Sequence, residues 1–229
     1  ALPAPKYAAT EDLTLVPTKE EANLILTNST LDTMRAVLYG FRNASRPVML
    51  VGQTAAGKTD TIANTARILN WQYHSENLRD TPLSSLIGSW ARDAKTGILT
   101  FKDGVLIKAM TKGYCLVLEE INFMDTGLLE VISEWIDEGY FTNPKNHEKI
   151  SIHPDFRLFA TLNPLQGSTR ISLGRNNLPA PFINRFKLVW VAEKDASEQI
   201  IILKELLERS AIKVQDVFLS AKKRSAIVP

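Results

Sequence analysis

Only one cysteine, Cys115, stands among the 229 residues, so no internal disulfide can form. Its neighbours are apolar, and it reads as a buried, reduced thiol in an intracellular setting. No apolar run approaches the length of a membrane span, so no membrane partner is expected. Ala1 to Tyr7 carry neither a basic leader nor an apolar signal core, and no Met begins the chain, which reads as a piece of something longer. Charge of one sign is also lacking: a formal balance of +2 supplies no overall field for nucleic acid or a membrane surface. Low-complexity tracts and repeats of about 20 to 50 residues are absent.

The chain does hold 45% hydrophobic and 23% charged residues, enough core for one α/β domain and the beginning of a second. Thr18 and Glu21 have capping-box spacing before a Leu-rich run, which predicts a short helix. Leu31, Met34, Leu38 and Phe41 predict a second helix, and the continuous apolar run Val48–Val51 predicts a buried parallel strand. Helical pattern resumes at Lys58 and runs to about Leu69. Leu116–Leu118, Arg157–Leu162 and Leu188–Val191 read as further central strands. Asp125 is placed to cap a helix reaching Asp137, and Ile200–Leu207 begins another. Such alternation predicts a mostly parallel sheet covered on both faces. Gly97–Gly104 and Tyr140–Ile152 break the rhythm and read as β-hairpins, from pattern alone surface decoration.

Gly52-Gln53-Thr54-Ala55-Ala56-Gly57-Lys58-Thr59 matches G-x-x-x-x-G-K-[ST] between that first strand and the helix after it. Small residues let backbone N–H groups turn inward onto phosphate oxygens, while the helix offers its positive end. Lys58 is expected to reach the β- and γ-phosphates and the Thr59 hydroxyl to ligate Mg²⁺, with Asp60 completing the binding segment. A chance match arises in roughly one chain of this length in a few hundred. The flanking strand and helix decide for a nucleotide site.

Glu119 and Glu120 end an apolar strand, at the sheet edge where α/β proteins bind ligands. The first is expected to hold Mg²⁺ through its water shell, the second to orient and deprotonate the attacking water. On a strand, the two would point to opposite faces. Alone they would read as solvated charge capping a strand; their position downstream of a phosphate loop favours the catalytic reading. Asn163, delivered by the strand Phe156–Asn163, could hold the lytic water and sense the γ-phosphate, though Asn before Pro is equally turn chemistry. Arg185, in Asn184-Arg185-Phe186, would ordinarily be a solvated surface residue.

Six ordered segments, PVMLVGQTAAGKT, FKDGVLIKAM, YCLVLEEIN, LLEVISEWIDEG, HPDFRLFATLNP and GRNNLPAPFINRFKLVWV, resemble the dynein-related branch of the AAA+ superfamily, the midasin and MoxR-type group, from Pro47 to Val191. The resemblance implies a P-loop NTPase fold: a three-layer αβα sandwich with a mostly parallel sheet, hairpin inserts at helix 2 and before sensor 1, and the start of a helical lid. It divides the chain into an extension (1–28), a nucleotide-binding core (29–192) and a lid beginning (193–229), with the chain stopping at Pro229 before the lid is complete. Lys58 and Thr59 then fall in Walker A, Glu119 and Glu120 in Walker B, Asn163 at sensor 1, and Arg185 at the arginine finger acting in trans. ATP with Mg²⁺ is the implied cofactor, sibling modules in a hexameric or pseudo-hexameric ring the implied partners, and a protein or ribonucleoprotein the implied client. In the midasin group that work serves maturation of large ribosomal subunits.

Two residues depart from the pattern. Glu119 stands where Asp is usual, and Ala55-Ala56 where a glycine is common. No sensor 2 residue can be assigned. A nucleotide-binding module with little turnover, a MoxR-type chaperone ATPase and a nucleic-acid motor remain alternatives. The last rests on Lys145, His147 and Lys149, interrupted by Glu148. Lys222-Lys223-Arg224 would suit nuclear import or a solvated tail: a midasin-like protein is expected in the nucleus, a MoxR-type one in the cytoplasm.

Overall fold

The computed structural model describes residues 17, 24–43, 46–92, 95, 97–143, 145–164 and 178–209. Thr18, Glu21 and the basic run Lys222-Lys223-Arg224 lie outside them, as do most of the expected extension and part of the expected lid. Residues 24–27 of the Leu-rich run are not the expected helix, because extended Thr27 caps a helix that begins only at Asn28.

Five strands form the central sheet: β1 (Val48–Val51), β2 (Tyr73–Asn77), β5 (Cys115–Glu119), β8 (Arg157–Leu162) and β9 (Lys187–Trp190). Their order is β2-β5-β8-β1-β9, and every neighbouring pair is parallel. The helices are α1 (Asn28–Arg42), α2 (Lys58–Ile68), α3 (Leu83–Leu86), α4 (Val105–Lys112), α5 (Thr126–Glu138) and α6 (Ala180–Ile183), and residues 196–209 form one more.

Period-two alternation along the buried strands feeds two separate cores. Val48, Leu50, Cys115, Val117 and Phe159 pack with Val37 and Phe41 of α1 and Ile62 and Ala66 of α2. The intervening Met49, Val51, Leu116, Leu118, Leu158, Ala160 and Leu162 pack with Leu106 and Met110 of α4 and Leu128, Ile132 and Trp135 of α5. Helices therefore cover both faces, giving the three-layer α/β sandwich. Each of these fully buried large side chains contributes about 1.5–3 kcal/mol. Arg157, the buried charged side chain that opens β8, donates to Phe41 O, Pro154 O and Phe156 O at 2.8 Å each and lies 5.1 Å from the Trp71 ring centre. It ties the end of α1 to the sheet.

Sequence and structure also differ in two of the strand assignments. The strand Tyr73–Asn77 escaped pattern reading because YHSEN is an edge strand, half-buried throughout and without an apolar run. The segment Gly97–Gly104 is not a hairpin by itself. It supplies one strand, β4 (Leu99–Asp103), whose antiparallel partner is the unforeseen β3 (Gly88–Arg92). By contrast Tyr140–Ile152 does hold a hairpin, β6 (Tyr140–Thr142) on β7 (Lys149–Ser151). Cys115 is fully buried, and burial pushes its thiol well above the usual range. Thiol reagents should therefore leave the folded chain unmodified and label it only after denaturation, which mass spectrometry would read directly.

Candidate functional site

The loop between β1 and α2 leaves the carboxyl edge of the sheet, where its backbone is fixed at both ends. At its start, Gly52 donates its N–H to Leu162 O at 3.1 Å, and a Cβ there would lie 2.6 Å from Val191 O, so only glycine fits. At its end Gly57 takes φ 83°, a left-handed conformation that turns the chain into α2. Ala55 also sits in that region at φ 63°, which costs about 1 kcal/mol more than the glycine common in such loops.

No side chain caps the start of α2, and Lys58, Thr59 and Asp60 of its first turn line the loop's own cavity, an arrangement that suits an anion. That cavity, about 190 Å³, is lined by Thr54, Ala55, Gly57, Lys58, Thr59, Asp60, Glu119, Glu120, Thr161 and Asn163. A second cavity of about 680 Å³ shares Thr54 and Ala55 and adds Gln53, Ala56, Glu193, Lys194, Gln199, Ile202, Leu203 and Leu206. One space is polar and small, the other larger with an aliphatic wall from the 196–209 helix. Together they fit a polyphosphate joined to a larger, flatter group.

Lys58 is buried, and its ammonium donates to Gly52 O at 2.6 Å and to Gln53 O and Asn163 Oδ1 at 2.7 Å. Burial lowers its pKa to about 8, partly offset by Glu119 and Glu120, with a small further lowering from Lys194. Asn163 thus stands within hydrogen-bonding reach of the loop lysine.

Glu119 closes β5 and accepts a hydrogen bond from the Ser75 hydroxyl of β2. Glu120 is no longer strand: at φ 53° it lies in the left-handed region. The expectation that the two carboxylates point to opposite strand faces is therefore corrected, because the chain turns between them and both line the same small cavity. The Glu120 carboxylate accepts from Arg79 Nε at 3.0 Å and Nη2 at 2.6 Å, and its backbone N–H reaches Thr161 Oγ1 at 3.4 Å. Arg79 in turn lies 4.7 Å from the Phe123 ring centre. Ser75 and Arg79 are functional neighbours that sequence reading missed, because both follow from the unrecognised strand β2. The βαβ rhythm itself was the available signal: a parallel sheet calls for a strand after α2.

Oxygen donors suited to Mg²⁺, the Thr59 hydroxyl and the Glu119 carboxylate, share the small cavity, and the extra methylene of Glu119 is accommodated by its bond to Ser75. The donor set fits a hard cation.

Arg185 is not brought to this site. It precedes β9 at the amino edge of the sheet, so β9 itself, about 3.3 Å per residue over four residues, separates it from the loop by roughly 13 Å. There it is half-buried, donating to Asp137 near the end of α5 through Nε at 2.8 Å and through Nη2, and to Pro181 O at 2.9 Å. The guanidinium holds the Asp137 carboxyl below the usual range.

Comparison with known proteins places the chain in a family. The AAA domain of the dynein-related subfamily matches residues 47–186, more than half of the chain. Midasin of Giardia intestinalis is 34% identical over 185 residues, 80% of this chain and 4% of that protein. Midasin of Dictyostelium discoideum is 31% identical over 193 residues, 82% of this chain and 3% of that one. The chain thus spans only a few per cent of these relatives' length. An uncharacterized protein of Staphylococcus haemolyticus is 30% identical across 53% of the chain and 48% of its own length. The crystal structure of NtrX from Brucella abortus superposes with a TM-score of 0.54 over 74% of this chain and 37% of that one; at 17% identity it speaks for the fold alone. The chain belongs to the dynein-related subfamily of AAA domains, a nucleotide-binding, ATPase-type family.

Proposed function

We propose that the chain is a motor module that hydrolyses ATP and couples turnover to the remodelling of a protein or ribonucleoprotein assembly. The observation that carries this reading is the convergence of Lys58, Thr59, Glu119, Glu120 and Asn163 on one small cavity at the carboxyl edge of the sheet. Thr59 and Glu119 would hold Mg²⁺, which supplies charge neutralisation on the phosphates when bound. Glu120 takes the proton of the attacking water, and Asn163 orients that water. Lys58 carries positive charge toward the β- and γ-phosphates.

Arg185 cannot complete its own site from the opposite edge, which supports a role on a neighbouring module. Arg185→Ala is expected to leave nucleotide affinity unchanged and to reduce single-turnover ATP hydrolysis by about 10³-fold in assemblies only. An equal loss in a strictly monomeric sample would remove the role in trans. On this reading the partners are sibling modules in a ring, and the similarity to midasin extends the proposal to ribosomal-subunit maturation in the nucleus.

One observation favours a second reading. Glu120 is engaged by Arg79 and Glu119 by Ser75, so a module that binds nucleotide and turns it over slowly is compatible with the same geometry. Single-turnover hydrolysis of radiolabelled ATP separates the two. A nucleic-acid motor gains nothing from the β6–β7 hairpin, where Lys149 donates to Tyr140 Oη at 2.8 Å and lies 4.2 Å from its ring centre.

A further inference from the structure

Beyond the residues of the phosphate loop, a second ammonium reaches it from the chain after β9. Lys194 follows β9 and immediately precedes the 196–209 helix, and its Nζ donates to Ala56 O at 2.6 Å. A Cβ built on Gly57 would stand 3.2 Å from the same nitrogen, so the group lies directly against the loop. It lines the 680 Å³ cavity at the end formed by the loop, whereas Ile202, Leu203 and Leu206 supply an aliphatic wall.

The donor inventory separates the two lysines. An ammonium has three N–H donors. Those of Lys58 are matched by three protein acceptors, Gly52 O, Gln53 O and Asn163 Oδ1. The Lys194 ammonium makes one hydrogen bond among the described residues, leaving two donors. No carboxylate among the described residues lies within ion-pairing distance of it. Asp195, its chain neighbour, accepts from Ser197 Oγ at 2.6 Å and from Glu198 N at 2.8 Å, and the Glu198 carboxylate accepts from Ser29 N at 2.9 Å. Glu193 shares the cavity but is exposed and forms no ion pair with it.

A half-buried cation with two available donors, held against a phosphate cradle and facing a nucleotide-sized space, has one natural counter-ion. We propose that Lys194 is a phosphate-binding residue, contacting the phosphate chain of a nucleoside di- or triphosphate in addition to Lys58. The inference rests on the nucleotide site argued above. Its bond to Ala56 O fixes the position of the ammonium, and its remaining donors serve the anion.

The test compares ADP affinity, by calorimetry on the full chain, for Lys194→Gln, Lys194→Met, Lys194→Arg and, as a separate check on the site, Lys58→Ala. Gln keeps a donor for Ala56 O while removing the charge. Loss of one charge-assisted contact weakens ADP binding about tenfold to a hundredfold, so Gln and Met should both show that loss while Arg stays near wild type. The thermal midpoint without nucleotide should be unchanged in the Gln variant. ADP binding by Lys194→Gln within twofold of wild type overturns the inference, as does a loss confined to Met, which would make Lys194 a tether for the helix. If instead Lys58→Ala binds ADP normally, the nucleotide-site reading fails, and Lys194 falls with it for a different and recognisable reason.

Discussion

Glu120→Gln is expected to bind ATP with wild-type affinity and to hydrolyse it about 10²- to 10⁴-fold more slowly, a barrier increase of about 2.7–5.5 kcal/mol. The amide matches the carboxylate in volume and still offers Arg79 an oxygen acceptor, so the turn at φ 53° keeps its outer contact. What disappears is the ability to take a proton from water. Because the side chain stands in the small cavity with Thr59 and Asn163, the loss should fall on the chemical step and leave ground-state binding intact. Rapid-quench single turnover with ATP in excess of its dissociation constant measures this directly. Hydrolysis at the wild-type rate would hand the base to another group, for which the cavity holds Glu119 and Asp60 as the remaining carboxylates.

Lys58→Met should act earlier, weakening ATP and ADP binding by about 10²-fold or more, since each charge-assisted contact to phosphate is worth about 1.5–3 kcal/mol. Its effect on the fold is expected to be much smaller. The ammonium is buried at a cost, visible as a pKa lowered from 10.5 to about 8, and the methionine removes that cost along with three hydrogen bonds. Between about pH 8 and 10.5 the unfolded chain holds the Lys58 proton more tightly than the folded one, so wild-type stability gains a contribution as pH rises through that window. The variant loses that gain, and paired thermal melts without nucleotide at pH 7.5 and 9.5 would show it. A variant that binds ADP as the wild type does would remove Lys58 from the phosphate site.

Much of the sheet could be read from residues alone because a parallel strand buried on both faces is mostly apolar. Val48–Val51 is apolar and buried at every position, and Arg157–Leu162, also buried throughout, departs from apolar residues only at Arg157 and Thr161. The phosphate loop was legible for a related reason, since its backbone geometry admits only small residues at Gly52 and Gly57. Edge elements gave no such sign. Tyr73–Asn77 has one neighbour in the sheet and a half-exposed surface, so nothing forces an apolar pattern on it, and Ser75 and Arg79 went unnoticed with it. Lys194 was invisible for a different cause: it meets the loop from 138 residues away in sequence, a contact that no local pattern encodes. Glu120 shows a third limit, where the last residue of an expected strand proves to be the first residue of a turn.

The separation of Arg185 from the loop, with one at the amino edge and the other at the carboxyl edge, has an arithmetical consequence. In the ring proposed above, donor edge meets acceptor edge, head to tail. On the proposed role of Arg185, an open row of such modules always leaves one loop without a finger and one finger without a loop. Only closure makes the two counts equal. Breaking a single junction would then idle one site by composition alone, without altering any residue in it.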